Sequence, residues 1–421
     1  MTIGKNSWTS FLTLWICHTL FLVLSKVVVF ILLIYLEQSK GLTGISIFGA
    51  ASILPAMLAL PFLSYIIDKI HLKAFMSFVI AIQIPLIYLI FTHLDSSLDL
   101  FYLIIVLIAF STVFALLENI LFDKLIKLIV TKSKLMAAVS ISRLSNAMAY
   151  FLSPLIAGFA YHQTALPWVN GTVILLLIVY LIALTCLERK DPTTALSQKT
   201  HIDYFFKNKR RKQLTRELLF LYSISFIWMN AVIIVCLPYF NAFHSTQISS
   251  LLISLSGAGG LVNNLGSLFF PLKKQTLFYC RLSAFLTGLM LFLLGILPAQ
   301  FILQAVIMFT GGFFATWCYI LSQLIAQRVF ESHYLGAFFG LRSWVSTGMT
   351  AVFYLFTGYF VGKVLTPSVQ FISKILGQPS ANIEQYQAIQ YLFIGVGSLV
   401  IFILAAHGSK SFLQFVKHRR I

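Results

Sequence analysis

Residues Glu188–Arg216 read ERKDPTTALSQKTHIDYFFKNKRRKQLTR, the longest stretch of this 421-residue chain with no segment suited to a membrane. It carries Arg189, Lys190, Lys199, Lys207, Lys209, Arg210, Arg211, Lys212 and Arg216 against Glu188, Asp191 and Asp203. Apolar blocks of similar number and length lie on either side. The stretch therefore reads as a basic linker, 188–216, between an N-terminal half, 1–187, and a C-terminal half, 217–421.

Working outward, 59% of the residues are apolar and only 10% are charged, with a mean hydropathy of +0.92. Soluble domains carry roughly 25% charged residues. Apolar runs of about 20 residues recur, each long enough to cross a ~30 Å hydrocarbon core as a helix. Barrel strands alternate over ~10 residues, whereas these runs are continuous, which excludes a β-barrel. The five cysteines, Cys17, Cys186, Cys236, Cys280 and Cys318, are scattered singly, with no C-x-x-C or Cys/His cluster. They argue for no metal and no disulfide. One lysine, Lys5, precedes a run far longer than a signal-peptide core, so no cleaved signal is expected.

Spans are expected at 11–36, 43–67, 74–94, 100–122, 136–161, 167–187, 218–243, 247–271, 276–297, 300–325, 338–362 and 387–407. That makes an all-α polytopic membrane protein of twelve transmembrane helices in two six-helix halves. With the N-terminus inside, 24 of the 30 lysines and arginines fall in inward loops, the linker or the tail, while Lys40, Lys363 and Lys374 face outward. Lys26, Arg143 and Arg342 fall within spans. This bias obeys the positive-inside rule and predicts both termini in the cytoplasm. It also accounts for the net charge of +18 without nucleic acid.

A shift of 200 residues aligns Phe114-Ala115 with Phe314-Ala315, Ile120-Leu121 with Ile320-Leu321, Leu135 with Leu335, Ala137 with Ala337 and Gly158 with Gly358. The matches keep the register of span, basic turn and span. Parallel six-span halves are a known plan of transporters. In the one long outward segment, Lys363–Gln385, residues Val369–Leu376 suit a short interfacial amphipathic helix.

Between the second and third spans runs Ser64-Tyr-Ile-Ile-Asp68-Lys69-Ile-His71-Leu-Lys73. It resembles the signature loop of the major facilitator superfamily, Gly-x-x-x-Asp-Arg-x-Gly-Arg-Lys. Asp68, Lys69 and Lys73 match, whereas Ser64 and His71 replace the glycines. The resemblance implies an acid that docks a neighbouring helix N-terminus in one conformation and releases it in the other. In the fifth span, Ser153-Pro154-Leu-Ile-Ala157-Gly158 is similar to the Gly-Pro-x-x-Gly-Gly motif of antiporters in that superfamily. Pro154 kinks the helix and Gly158 permits close packing. The segment Gln323-Leu-Ile-Ala-Gln327-Arg328, with Gly336 and Arg342 beyond it, resembles the macrolide- and enterobactin-efflux branch.

Ionisable residues inside spans are costly unless paired or wet. Lys26 lies near the middle of the first span. Glu118 lies in the inner third of the fourth, Asp123 at its end, and Arg143 about two turns into the fifth. Glu118 and Arg143 share a depth, which predicts a pair serving either structure or proton coupling. Lys26 is expected to meet an anionic group of the substrate, or else to serve structure by bonding backbone carbonyls or an amide such as Asn230. Trp228, Trp317 and Trp344 are candidates for a cavity wall, and Asn230 and Gln304 for substrate contacts, although buried amides also hold helices together.

No phosphate loop, H-E-x-x-H or nucleophile elbow is present. No soluble stretch is long enough for a nucleotide domain, so no enzyme activity, cofactor or metal is expected. The reading is a proton-linked exporter of an amphiphilic molecule, a drug or siderophore, acting by alternating access as a monomer in a bacterial-style inner membrane. The other readings are an importer of an organic anion or siderophore, and a lipid flippase or non-transporting sensor on the same fold.

Overall fold

In a bilayer core an unpaired peptide group costs several kcal/mol, so continuous apolar runs satisfy their amides internally as helices. The computed structural model describes residues 7–67, 72–92, 101–130, 135–161, 166–185, 203–206, 208–269, 276–330, 335–367 and 381–418, and these are helical apart from short turns. Helix α1 (Ser7–Ile67) holds the first two spans, kinked at Gly41, whose φ of 61° and ψ of −158° suit glycine alone. Then follow α2 (Leu72–Thr92), α3 (Phe101–Ile129), α4 (Leu135–Tyr161) and α5 (Leu166–Thr185), the third to sixth spans. After the short linker helix α6 (Asp203–Phe206), the seventh span is built from α7 (Lys209–Phe226), a π-helical stretch Ile227–Val232 and α8 (Ile233–Asn241). The eighth to twelfth are α9 (Thr246–Phe269), α10 (Thr276–Ile296), α11 (Phe301–Val329), α12 (Leu335–Phe360) with its π-helical end, and α13 (Ala381–His418).

Among the described helices, ten stretches are long and apolar enough to cross a membrane. The fifth and seventh spans are not among them. The fifth carries Arg143, Asn146 and several serines, and the seventh is interrupted by its π-helical stretch. Both pack inside the bundle, where polar side chains find protein partners instead of lipid.

Small residues set how closely the halves approach. The fifth span lies on the eighth, and the second on the eleventh. At Gly257 an added Cβ would come within 2.4 Å of the Phe151 nitrogen, and at Gly49 within 2.9 Å of the Tyr354 ring. At Gly158 the nearest atom would be Ser250 Cβ, 2.4 Å away, and at Gly358 it would be Ser46 Cβ, 2.5 Å away. The two glycines matched by the 200-residue shift thus make the same contact in opposite halves.

Both contacts close the far end of the bundle, opposite the linker. There Asn241 donates to Glu37 across the halves at 3.0 Å, and Tyr161 donates to Gln38. At the linker end Lys73 Nζ donates to the terminal carbonyl of α5, Thr185 O, at 2.9 Å, and Arg281 pairs with Glu217. Buried amides tie helices within each half: Gln83 and Ser111 bond reciprocally, and Asn263 donates to Phe313 O. The cysteines are less scattered in space than in sequence, because Cys280 and Cys318 meet with sulfurs 3.8 Å apart. The interfacial helix expected over 369–376 lies outside the described residues.

A central cavity and a buried carboxylate cluster as the candidate functional site

Helical spacing gathers one face of several spans around a common space. Asn146, Ala147 and Tyr150 come from the fifth span, and Tyr222, Phe226 and Met229 recur at four- and three-residue steps along the seventh. With Asn264 of the eighth and Thr316 and Tyr319 of the tenth, they line a cavity of about 110 Å³ at the meeting of the halves. The π-helical stretch begins at Ile227, inside this lining face, and such insertions often mark functional sites. Toward the far end, Gly257 against the Tyr150–Phe151 backbone shuts the space.

Two cations stand against tyrosines of this wall. Lys26 Nζ lies 4.2 Å from the centre of the Tyr150 ring. The Arg342 guanidinium, on the eleventh span, lies 4.1 Å from the Tyr222 ring and 5.5 Å from that of Tyr319. No described residue lining the cavity is acidic. A mid-depth lysine costs roughly 2.5–3.5 kcal/mol on insertion. One cation–π contact offsets about 0.5–2 kcal/mol of that. Lys26 is half-buried and meets no carboxylate among the described residues, so its charge is only partly compensated.

A second polar centre lies inside the N-terminal half. Glu118 is fully buried, and its Oε1 sits 2.8 Å from His18 Nδ1 and accepts from Tyr180 OH at 2.6 Å. The His18 ring stacks on Phe122 at 3.8 Å, and beside it Thr19 and Ser145 hydroxyls bond at 2.8 Å. Glu118 Oε2 is buried without a hydrogen-bond partner among the described residues. Among the described residues the partners of Glu118 are His18 and Tyr180; the side chain of Arg143, the partner expected from the sequence, lies outside them. His18 falls under the same rule that marks Lys26 and Glu118, an ionisable group inside a span. Nothing in the sequence distinguishes Tyr180 from the other tyrosines.

The remaining expected residues divide. Trp228 does not line the cavity: its indole donates to Ser256 at 3.0 Å and lies against Gly311, one layer behind the wall. Trp344 is 41% exposed on the outside of the bundle, and Trp317 stacks on Tyr279. Gln304 is buried at the far end, where it bonds His244 at 2.9 Å. It precedes Thr316 by twelve residues, about 18 Å along the helix, too far to reach the cavity. Asn230 lies in the π-helical stretch next to Met229, and Asp123 near the linker end of α3, but both side chains lie outside the described residues. Asp68 and Lys69 lie outside them altogether. Lys73 holds the end of α5, Pro154 sits inside α4, and Gly158 makes the far-end contact.

Comparison with known proteins agrees with this architecture. Residues 14–354 match the family model described as Major Facilitator Superfamily. The chain is similar in structure to the nucleoside transporter NupG, at 17% identity and a TM-score of 0.66 over 94% of this chain and 98% of that one. A bacterial homolog of the human lysosomal transporter Spinster, inward-facing and unoccupied, gives 10% identity and 0.71 over 98% of both. A D-xylose-proton symporter gives 11% and 0.66 over 93% and 97%. At these identities the likeness shows the fold. No curated protein matches the sequence.

Proposed function

Because the chain belongs to the major facilitator superfamily, a family of membrane transporters, we propose that it is a secondary carrier that exports an amphiphilic small organic molecule, a drug or siderophore, in exchange for protons. The observation that carries this reading is the cavity between the halves, closed toward the far end by the paired Gly158–Ser250 and Gly358–Ser46 contacts. A space at mid-depth with one end sealed is one state of a rocking cycle. The positive-inside bias puts the linker end in the cytoplasm, so substrate enters this state from inside the cell. The Pro154–Gly158 motif favours export.

In this reading Glu118 carries the proton. A buried carboxylate held by an imidazole and a phenol, with one oxygen free, can take up a proton without rearranging its neighbours. Arg143 and Asp123 are proposed to serve the same proton route, from positions on the fifth and fourth spans toward the linker end. Lys26 meets the anionic part of the substrate from the cavity side. Asp68, with Lys69 and Lys73, latches the linker end shut in the opposite state of the cycle. A second reading, uptake of an organic anion, is favoured by the cations against the cavity wall.

The test is proton-linked flux in proteoliposomes loaded with a pH dye. Amphiphilic substrates should move protons through the parent protein, and Glu118→Gln should bind substrate but move none. Flux with no pH response in the parent would remove proton coupling. Accumulation of substrate along the proton's direction would replace export by uptake.

A further inference from the structure

Resting on the transport reading, we infer that the central cavity selects a small organic anion with a flat unsaturated ring, its charge shared between Lys26 of one half and Arg342 of the other. Three observations meet at this point. Lys26 and Arg342 approach from opposite halves, and each lies against a tyrosine that lines the cavity. Tyr150, Tyr222, Tyr319 and Phe226 give that space four aromatic walls, while the described lining supplies no carboxylate to hold a cation. A cavity of about 110 Å³ has room for one ring and its charged group.

The rings of the wall keep the two cations at hand, with an aromatic face against each. An arriving carboxylate or sulfonate draws the Lys26 ammonium, on its flexible stem, and the planar Arg342 fork off those faces. The vacated tyrosine faces then receive the ring of the ligand. Because the two cations belong to different halves, the bound anion also neutralises a repulsion that grows as the linker end closes. Loaded carriers turn over more readily than empty ones. This reading excludes cationic drugs from the substrates named above.

The experiment uses the full chain in lipid nanodiscs with four probes: benzoate, cyclohexanecarboxylate, benzyl alcohol and benzylammonium. Benzoate should bind about tenfold more tightly than each of the others. Arg342→Gln should weaken benzoate about tenfold, and Tyr319→Leu about fivefold, with cyclohexanecarboxylate unaffected by the latter. Tyr319→Phe keeps the ring and should bind benzoate within about twofold of the parent. If Arg342→Gln does not elute as folded protein, the two Tyr319 variants decide the matter. Equal binding of benzoate and cyclohexanecarboxylate, or tighter binding of benzylammonium, overturns the inference. Proton-linked flux of a cation without benzoate binding also overturns it and leaves the transport reading standing. Tight benzoate binding without proton-linked flux of any probe overturns that transport reading and leaves the anion site.

Discussion

At the scale of single residues, the two polar centres make opposite demands. Lys26 lies against one tyrosine face with its charge only partly offset. Lys26→Met should therefore raise the thermal unfolding midpoint in detergent, by the equivalent of about 1 kcal/mol, while lowering affinity for anions. A fall in the midpoint would mean that the lysine holds the fold. Glu118 is the reverse case, a buried carboxylate whose donors stabilise it. Tyr180→Phe removes a hydrogen bond to a charged group and should destabilise the protein by about 1.5–3 kcal/mol in the same assay. An unchanged midpoint would mean that water takes the place of the hydroxyl. Glu118 was legible in the sequence because a carboxylate inside a span is conspicuous, and its depth followed from counting residues. Its described partners, His18 and Tyr180, were not. Helices apolar all round give no periodic stripe to fix their rotation, so depth alone does not say which residues of neighbouring spans face it.

At the scale of elements, the glycine contacts decide how spans move against each other. A methyl group at Gly158 meets Ser250 Cβ at 2.4 Å, so the two helix ends must part slightly to admit it, whereas one at Gly312 meets the Ser256 carbonyl oxygen at 1.9 Å in the middle of a helix contact. Gly158→Ala should loosen the far end without unfolding the protein. In that background a cysteine placed by Ser250→Cys should react faster with a membrane-impermeant maleimide added from the far side. Gly312→Ala should instead lower stability by about 1–3 kcal/mol, seen as a lower unfolding midpoint. The equivalence of Gly158 and Gly358 was visible as a sequence repeat, yet which neighbours they touch was not, since contacts between halves cross about a hundred residues or more. Among the amides, Gln83 and Asn263 tie helices together, whereas Asn146 and Asn264 line the cavity. Trp228 and Gln304 did not reach the cavity, because a span's length says nothing about which of its faces looks inward.

At the scale of the whole molecule, the succession of apolar helices was legible in the sequence, and ten of the expected spans have the length and hydropathy of a membrane crossing, since both act locally. Orientation rests on charge. Reporter fusions after Asp95 and Glu384 should read outside, and fusions near Lys209 inside; an outside signal at the linker would reverse the direction of every transport step. One joint gives this architecture a mechanical property. The first two spans are rigid rods joined at Gly41, with no slack between them. They form a crank with a one-residue pin, and Lys26 rides on one arm fifteen residues away. At 1.5 Å per residue that arm is about 22 Å long, so a turn of about 10° at the pin moves Lys26 by about 4 Å. That stroke equals the 4.2 Å by which its ammonium stands off the Tyr150 ring. Torsion at a single glycine would thereby be geared to the contact between Lys26 and the Tyr150 ring, half a membrane away.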